Sequence, residues 1–363
     1  MEHSSGEKMG NVFQDLGVSG KIFKDERAFA PEYVPAEIVK REREIKELAF
    51  ALRPLSENRR PQSIVIYGAP GTGKTCVVKH VLEQLSDYTS RCFSIYLNCW
   101  NYPSRFSILS KIAKEMGIFV PRRGVAVDEV WAELVGVLKQ TKKVPIIVLD
   151  EADVVAQDEQ GIFYDLLRMK ENEGIDVEVI AITNRGEVLS QLDTRIRSSL
   201  LQTFMEFKRY TPAELKEIVN GRARLGLFSG AYNEEVIGVC SGFGAKNGGD
   251  ARIALNLLWL AGRNAEKKGR DEISIEDVEA VKGSVLNSMK KEKIESLGER
   301  DKKIVELIKE SSEGMKSGEI YAALGKNERT VRLHLGKLES MGLIESVFSG
   351  EGGGRTRVFK ILR

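Results

Sequence analysis

Residues 68–75 read Gly-Ala-Pro-Gly-Thr-Gly-Lys-Thr and fit the phosphate-binding pattern G-x-x-x-x-G-K-[ST]. An apolar run, Ile64–Tyr67, precedes them and an amphipathic helical pattern follows them, which is the context that this pattern requires. Glycines let the backbone curl so that its N–H groups face phosphate oxygens, and the helix N-terminus adds positive potential. We expect Lys74 to reach the β- and γ-phosphates and the Thr75 hydroxyl to ligate Mg²⁺. The residues predicted to contact the nucleotide here are Gly68, Ala69, Pro70, Gly71, Thr72, Gly73, Lys74, Thr75 and Cys76.

Two acidic residues follow the apolar run of residues 144–149, at the point where a buried parallel strand would end. Ligands gather at the carboxyl edge of an open α/β sheet, so these acids should face bound phosphates. We expect Asp150 to hold the Mg²⁺ that Thr75 also contacts, directly or through water. Glu151 would orient and polarise the attacking water. The alternative is that both acids only cap the following helix.

Four further polar side chains suit the chemistry of phosphate transfer. The predicted strand at residues 177–182 leads into Asn184, and this strand should lie beside the Asp150 strand, so that Asn184 contacts the γ-phosphate or the water. Turn formation is the alternative role for this residue. Arg195 and Arg197 suit an arginine finger that acts in a neighbouring subunit, or else they form surface salt bridges. Arg252 begins a predicted helix, where a cation opposes the helix dipole, which suggests a γ-phosphate contact.

The order of elements predicts three domains after a flexible tail at residues 1–20. Strands alternate with helices over residues 21–208, which predicts an α/β P-loop domain with a parallel sheet. Residues 209–290 read as helices only, beginning with a capping box at Thr211. Residues 291–363 predict three helices and a hairpin, the pattern of a winged helix. Residues 21–35 are either one wall of a base pocket or a packing arm, and Pro54 and Pro61 should bracket the loop before Ile64.

The composition of the 363 residues excludes several classes of protein. The chain is 42% hydrophobic and 30% charged with a formal net charge of +2, so a surface for nucleic acid must be local. No apolar run approaches the length of a membrane span, and the polar start lacks the core of a signal peptide, so we expect a cytoplasmic, nucleoid-associated protein without a membrane partner. The cysteines show no metal-binding spacing and suggest a reducing compartment; they are Cys76, Cys92, Cys99 and Cys240.

Positive charge is concentrated near the C-terminus. Residues 326–363 contain eight basic and four acidic residues, a local balance of +4. Arg329 and Arg332 are three residues apart on a predicted helix of the type that enters a major groove. Arg355 and Arg357 would contact the minor groove or its phosphates from the wing. Winged helices also bind proteins, which is the alternative function for this domain.

Together these motifs resemble those of the archaeal replication initiators, the AAA+ ATPases related to the origin recognition complex and its helicase-loading partner. The resemblance runs from about Ile22 to the C-terminus. The shared motifs are Tyr33-Val34-Pro35, Arg41-Glu42, residues 67–75, Leu149-Asp150-Glu151, Asn184, the pattern Leu192-Asp193-x-Arg195-x-x-Ser198-Ser199-Leu200, and Gly249-Asp250-Ala251-Arg252.

The resemblance also implies roles for individual residues. Val34, Pro35 and Arg41 would help form the adenine pocket. Asn184 would be sensor 1, Arg252 sensor 2, and Arg195 the arginine finger, with Arg197 in reserve. Residues 101–117 would form the helical insertion that touches duplex DNA, which makes Tyr102 and Arg105 candidate DNA contacts. The alternative is that the apolar side chains Phe106, Ile108 and Ile112 simply pack this helix onto the sheet, and both roles can hold.

The function expected from this family is to bind ATP, hydrolyse it slowly, recognise duplex DNA at replication origins and help to recruit or load the replicative helicase. ATP or ADP with Mg²⁺ would bind between the α/β domain and the lid, and the partners would be origin duplex DNA, the replicative helicase and other initiator subunits. One rival is a DNA-binding regulator in which the nucleotide is a structural ligand. Another is a branch-migration motor, which would assemble as a ring and hydrolyse ATP rapidly.

Overall fold

The computed structural model describes residues 21–57, 59, 62–121, 124–187, 192–200, 203–295, 297–311, 314–324, 328–340, 343–349 and 356–361. The chain divides into two compact units, Met1–Val278 and Glu279–Arg363. The first unit contains an α/β domain and most of a helical lid, and the second unit is a small domain of helices and strands. Among the described residues, no helix has both the length and the apolar character that spanning a bilayer requires.

Five short strands form the sheet of the first unit. They are β1 (Ile64–Tyr67), β2 (Cys92–Asn98), β3 (Val144–Asp150), β4 (Glu178–Thr183) and β5 (Thr203–Glu206). Their order is β2-β3-β4-β1-β5, and every described pairing is parallel. Parallel neighbours require crossover connections, so helices cover both faces, and the three central strands β1, β3 and β4 are buried on both sides.

The described helices of this domain connect the strands and bury both faces of the sheet. They are α1 (Glu42–Ser56), α2 (Lys74–Tyr88), α3 (Arg105–Glu115), α4 (Val127–Gln140), α5 (Asp153–Asp158), α6 (Gly161–Leu167), α7 (Met169–Glu173) and α8 (Thr194–Leu200). Alternate residues of a strand face opposite cores. Val65 therefore packs with the side chains of α3 and α4, whereas Ile64 and Ile66 pack with those of α1 and α2.

The lid consists of helices, as predicted. They are α9 (Pro212–Gly226), α10 (Glu234–Lys246), α11 (Ala251–Lys267) and α12 (Ile275–Glu295). The predicted capping box is confirmed, because Thr211 accepts a hydrogen bond from the Glu214 N–H and the Glu214 carboxylate accepts one from the Thr211 N–H. The segment from residue 21 to 35 packs on α9, where Arg222 donates to the carbonyls of Ala28 and Tyr33 at 2.8 and 3.1 Å.

The second unit is a winged helix, as predicted. Its elements are α13 (Glu299–Glu310), β6 (Met315–Lys316), α14 (Ser317–Leu324), α15 (Glu328–Ser340), β7 (Ile344–Ser349) and β8 (Thr356–Ile361). The three strands form an antiparallel sheet in the order β6-β8-β7. Ile304, Ile320, Leu335 and Phe359 lie in its core. The two-residue strand β6 was too short for the sequence pattern to indicate.

One predicted boundary is wrong. Pro54 lies inside α1 rather than in the loop that leads to β1. The apolar stripe of α1 explains the difference, since Leu48, Leu52 and Leu55 are all buried against the sheet and carry the helix one turn further. Pro61, the other expected bracket, lies outside the described residues.

Candidate nucleotide-binding site

The strand order brings the predicted phosphate-binding residues to one edge of the sheet. Strand β4 lies between β1, which leads into the P-loop, and β3, which ends in Asp150. Asn184 follows β4 directly and therefore lies between the P-loop and the two acids. The prediction that the Asn184 strand lies beside the Asp150 strand is confirmed.

The P-loop has the backbone geometry for which its glycines are required. Gly71 and Gly73 have φ angles of 71° and 88°, in the left-handed region that favours glycine. The Thr72 side chain turns back into the loop and donates to the Ala69 carbonyl at 2.8 Å. Helix α2 begins at Lys74, so its first N–H groups face the loop.

Lys74 occupies the centre of this loop and is only 7% exposed. Its Nζ donates to the carbonyls of Gly68 and Ala69 at 2.8 and 3.0 Å and to Asn184 Oδ1 at 2.8 Å. Burial lowers the pKa of Lys74 to about 8, because removal from water disfavours the charged form more than the nearby Glu151 and Asp150 favour it. Negative charge supplied by phosphate would restore the ordinary pKa.

Thr75 and Asp150 are paired, as the sequence predicts for two ligands of one metal. Thr75 Oγ1 donates to Asp150 Oδ2 at 2.7 Å, and the Tyr96 hydroxyl of β2 donates to the same oxygen. A hydroxyl and a carboxylate are the hard oxygen ligands that Mg²⁺ takes, usually one or two from protein with the rest from phosphate and water. No cluster of three acidic, His or Cys side chains among the described residues could hold a metal by itself. The pair therefore fits a Mg²⁺ ion that arrives with a phosphate ligand.

Glu151 is held in an unusual position beside this pair. Its φ angle is 54°, a left-handed conformation that costs free energy in a residue with a side chain, and such outliers cluster at functional sites. Asn184 Nδ2 donates to Glu151 Oε2 at 2.5 Å. Burial and the neighbouring Asp150 raise the pKa of Glu151, which makes it a better proton acceptor.

Asn184 thus connects the P-loop to the acidic residues that follow β3. Its amide oxygen accepts from Lys74 and its amide nitrogen donates to Glu151, so the orientation of the amide follows from its two partners. A continuous line of hydrogen bonds runs from the P-loop through Asn184 to the residue predicted to orient water.

The lid contributes Asp250, Ala251 and Arg252 to the same site. The Ala251 N–H donates to the Gly71 carbonyl at 3.2 Å, and the Asp250 carboxylate lies so close that a Cβ on Gly71 would be 1.7 Å from Oδ1. Asp250 also accepts from the Arg252 N–H at 2.8 Å and pairs with its guanidinium at 2.9 Å. Asp250 therefore offsets the unfavourable position of this cation at the helix start.

The residues expected in the adenine pocket lie in two places. Val34 is half-buried and Pro35 is buried, in the segment that precedes α1. Arg41 is 5% exposed and directs its guanidinium into the protein, towards the P-loop carbonyl of Thr72, the carbonyl of Lys208 and the hydroxyl of Tyr210.

Arg195 and Arg197 lie on helix α8. Arg195 is 73% exposed, and its described hydrogen bonds join it to Asp193, Ser198 and Ser199 rather than to the P-loop. Arg197 is partly buried.

The candidate DNA contacts are distributed over both units. In the first unit, Arg105 pairs with Asp165 at 2.5 Å, and Tyr102 packs against the core beside α3, so the packing alternative holds for this helix. In the second unit, Arg332 is exposed on α15 and Arg357 lies on β8, 4.0 Å from Glu339. Arg355 and the side chain of Arg329 lie outside the described residues.

Three residues of the site carried no signal in the sequence. They are Tyr96, Tyr210 and Glu44, each of which binds a predicted residue from a distant or unmarked position. Asp250 belonged to one of the shared motifs, but nothing in the pattern indicated its contact with Gly71. Only the helix-cap preference for Asp could have drawn attention to it.

Comparisons with known proteins agree with this geometry. Family models match residues 57–192 (an AAA domain), 216–283 (the Cdc6 AAA+ ATPase-type lid domain) and 296–358 (the winged helix-turn-helix transcription repressor, HrcA DNA-binding). An ORC1-type DNA replication protein of Desulfurococcus amylolyticus is 32% identical over 97% of this chain and 96% of its own. One from Pyrococcus abyssi is 31% identical over 99% of this chain and 92% of its own. The chain belongs to the family of ORC1-type DNA replication proteins.

Solved structures of this family have the same architecture. The Aeropyrum pernix ORC1 protein, solved in complex with DNA, has a TM-score of 0.79 at 28% identity and covers 95% of each chain. Cdc6p from Pyrobaculum aerophilum has a TM-score of 0.68 at 25% identity and covers 93% of this chain and 94% of its own. The family and the three-part fold predicted from the motifs are confirmed, and membership of this AAA+ family implies ATPase activity.

Proposed function

We propose that this chain is a replication initiator that binds ATP with Mg²⁺, hydrolyses it slowly, recognises origin duplex DNA and helps to recruit or load the replicative helicase. One observation carries the catalytic part of the proposal. A line of hydrogen bonds joins Lys74, Asn184 and Glu151 beside the Thr75–Asp150 pair, which is what hydrolysis of a bound triphosphate needs.

Each residue of that line has a distinct role in hydrolysis. The P-loop N–H groups and Lys74 bind the β- and γ-phosphates, while Thr75 and Asp150 hold the metal, which neutralises phosphate charge when bound. Glu151 orients the water and accepts its proton, helped by its raised pKa. Asn184 fixes the Glu151 carboxylate and contacts the γ-phosphate as sensor 1.

The lid reports which nucleotide is bound. Arg252 is half-exposed and is paired with Asp250, whose carboxylate lies against Gly71, so Arg252 lies close to where a γ-phosphate would sit. We assign it to sensor 2, because exchanging Asp250 for a phosphate would move the lid relative to the P-loop. Arg195 acts as the arginine finger in a neighbouring initiator subunit, which agrees with its exposure on α8.

DNA binding is assigned to the winged helix and to the α3 insertion. Support comes from the local positive charge, from the exposed Arg332 on α15, and from the Aeropyrum pernix relative that was solved with DNA. Arg357 lies on β8. We also assign a DNA contact to Arg355, on the strength of its position in the sequence alone. We also propose the domain bounds 21–208, 209–290 and 291–363 and a location on the nucleoid.

Footprinting of the purified protein on its own genomic DNA, with ATP and with ADP, tests the proposal. We expect a few protected regions that differ between the nucleotides. In cells, Glu151→Gln should then change origin firing, whereas the surface control Glu171→Gln should not. Protection at promoters with unchanged origin firing would favour the regulator, whose specific support is the repressor-type wing. Absence of footprints at low salt would overturn the DNA-binding assignment.

A further inference from the structure

Arg41 is a buried arginine whose three guanidinium nitrogens each have a partner in the protein. It is 5% exposed, and Nε donates to the Thr72 carbonyl at 3.0 Å and lies 3.1 Å from the Tyr210 hydroxyl. Nη2 donates to the Lys208 carbonyl at 2.5 Å, and Nη1 pairs with Glu44 at 2.8 Å. A guanidinium in which every nitrogen has a partner is an anchor rather than a ligand-binding group.

The partners of Arg41 come from three separate segments. Thr72 belongs to the P-loop, Glu44 to the first turn of α1, and Lys208 and Tyr210 to the linker between β5 and α9. The guanidinium also stacks on Tyr210, with 4.1 Å between Cζ and the ring centroid. A planar guanidinium can bond sideways and stack at the same time, and a lysine ammonium cannot.

The linker that Arg41 holds is also in contact with the P-loop and the lid. The Tyr210 hydroxyl lies against Gly73, where a Cβ would be only 2.7 Å from it. On the lid side, a Cβ on Gly249 would be 2.7 Å from the Tyr210 carbonyl. Gly249 directly precedes Asp250 and lies three residues before Arg252. Tyr210 therefore lies between the P-loop and the residue that we assign to the γ-phosphate contact.

We propose that Arg41 is a positioning residue that couples the P-loop to the linker of the lid and so sets the selectivity of the site for nucleoside triphosphate over diphosphate. The inference rests on the proposed function, because it takes Arg252 as the γ-phosphate contact. When phosphate binding moves the Thr72 carbonyl, the guanidinium transmits that movement to Lys208 and Tyr210. Adenine contact, the role implied by the resemblance, is not needed to explain the residue.

Two variants weaken the coupling without emptying the site. Arg41→Lys keeps the charge but loses the forked geometry and the stacking, and Tyr210→Phe keeps the ring but removes one hydroxyl. Affinities for fluorescent ATP and ADP analogues should change unequally. We expect ATP affinity to fall about 10-fold, because one or two buried hydrogen bonds contribute a free energy of that size. ADP affinity should fall less than about 3-fold. A parallel fall in both affinities would mean that Arg41 only supports the fold.

Arg270→Lys is the matched control. Arg270 donates to Asp277 at 2.5 Å and to Ser274 at 2.9 Å inside the lid, so its replacement should lower the melting temperature without changing the ATP to ADP ratio. If Arg41→Lys does not fold, Tyr210→Phe decides the question by the same ratio.

A double-mutant cycle with Arg252→Ala tests the coupling directly. If Arg41 acts by placing Arg252, Arg252→Ala should reduce ATP affinity in the wild-type background and have little further effect after Arg41→Lys. Additive losses would overturn the inference. If Arg252→Ala alone has no effect on ATP affinity, the sensor 2 assignment is wrong, but the coupling by Arg41 is not yet tested. Hydrogen exchange over residues 207–211 then tests the coupling. The inference requires ATP to protect this linker in the wild type and not in Arg41→Lys.

Discussion

The lowered pKa of Lys74 predicts that ATP affinity depends on pH in a range where a lysine of ordinary pKa would stay protonated. Lys74 is 7% exposed and has a pKa of about 8 without nucleotide, and burial is the main cause. The protonated amine is the form that binds phosphate, and the triphosphate should return its pKa to at least the ordinary 10.5. The affinity for ATP should therefore fall as pH rises through 8, because above that pH the Lys74 amine must take up a proton when ATP binds.

The size of the effect follows from these two pKa values. At pH 7.5 about three-quarters of Lys74 is protonated in the free protein, and at pH 9.5 about 3% is protonated. The dissociation constant for ATP should therefore rise about 20-fold over this range, or ~1.8 kcal/mol at 1.36 kcal/mol per pH unit. With an ordinary lysine pKa, the same range would change affinity by only about 10%.

Isothermal titration calorimetry at several pH values measures both the affinity and the proton. Repeating each titration in buffers of different ionisation enthalpy should reveal uptake of about 0.9 proton per ATP at pH 9 and about 0.2 at pH 7.5. Adenosine, which lacks phosphate, is the control and should bind without this dependence. The thiol of Cys76 does not obscure the result, because burial raises its pKa. A flat affinity between pH 7.5 and 9.5 would refute the reasoning.

Three variants, one of them a double substitution, test the other assignments. Glu151→Gln keeps the hydrogen bond from Asn184 but removes the base, so single-turnover hydrolysis should slow about 10²–10⁴-fold while ATP binding survives; unchanged hydrolysis would exclude Glu151 as the base. Arg329→Ala with Arg332→Ala should weaken DNA binding in anisotropy titrations and reduce the slope of log affinity against log salt by about 1.8. The exposed Lys309→Ala on α13 is the control, and an equal slope in both variants would remove α15 from the DNA surface. Arg195→Ala should spare ATP affinity in monomers and slow hydrolysis about 10³-fold or more in assemblies, whereas weaker binding by monomers would show that it acts within its own chain.

Much of the site could be predicted because its signals are local. The glycines at 71 and 73 are required by the backbone of the loop itself, and the φ angles confirm that requirement. Asp150 and Glu151 follow an apolar run that can only be a buried strand, and strand ends of a parallel sheet share one edge. The position of Asn184 also followed, once the chain order implied that its strand lies next to β3.

The environment of each residue could not be predicted in this way. Arg252 was expected to oppose the helix dipole, but the pattern did not indicate that Asp250 pairs with it at 2.9 Å. Pro54 was expected in the loop before β1, whereas the burial of Leu55 carries α1 past it. The error at Pro54 came from weighing one local preference alone, when packing supplied the larger contribution to the free energy.

The sequence by itself determined the kind of chemistry, the order of the domains and the family, because backbone conformation and strand ends depend on neighbouring residues. Only the tertiary structure decided the contacts and pKa values of those residues. Arg41 meets the Thr72 carbonyl across 31 residues and Tyr210 across 169, and the lowered pKa of Lys74 depends on which side chains exclude water from it. Burial and long-range hydrogen bonds arise from packing, and no pattern of spacing along the chain encodes them directly.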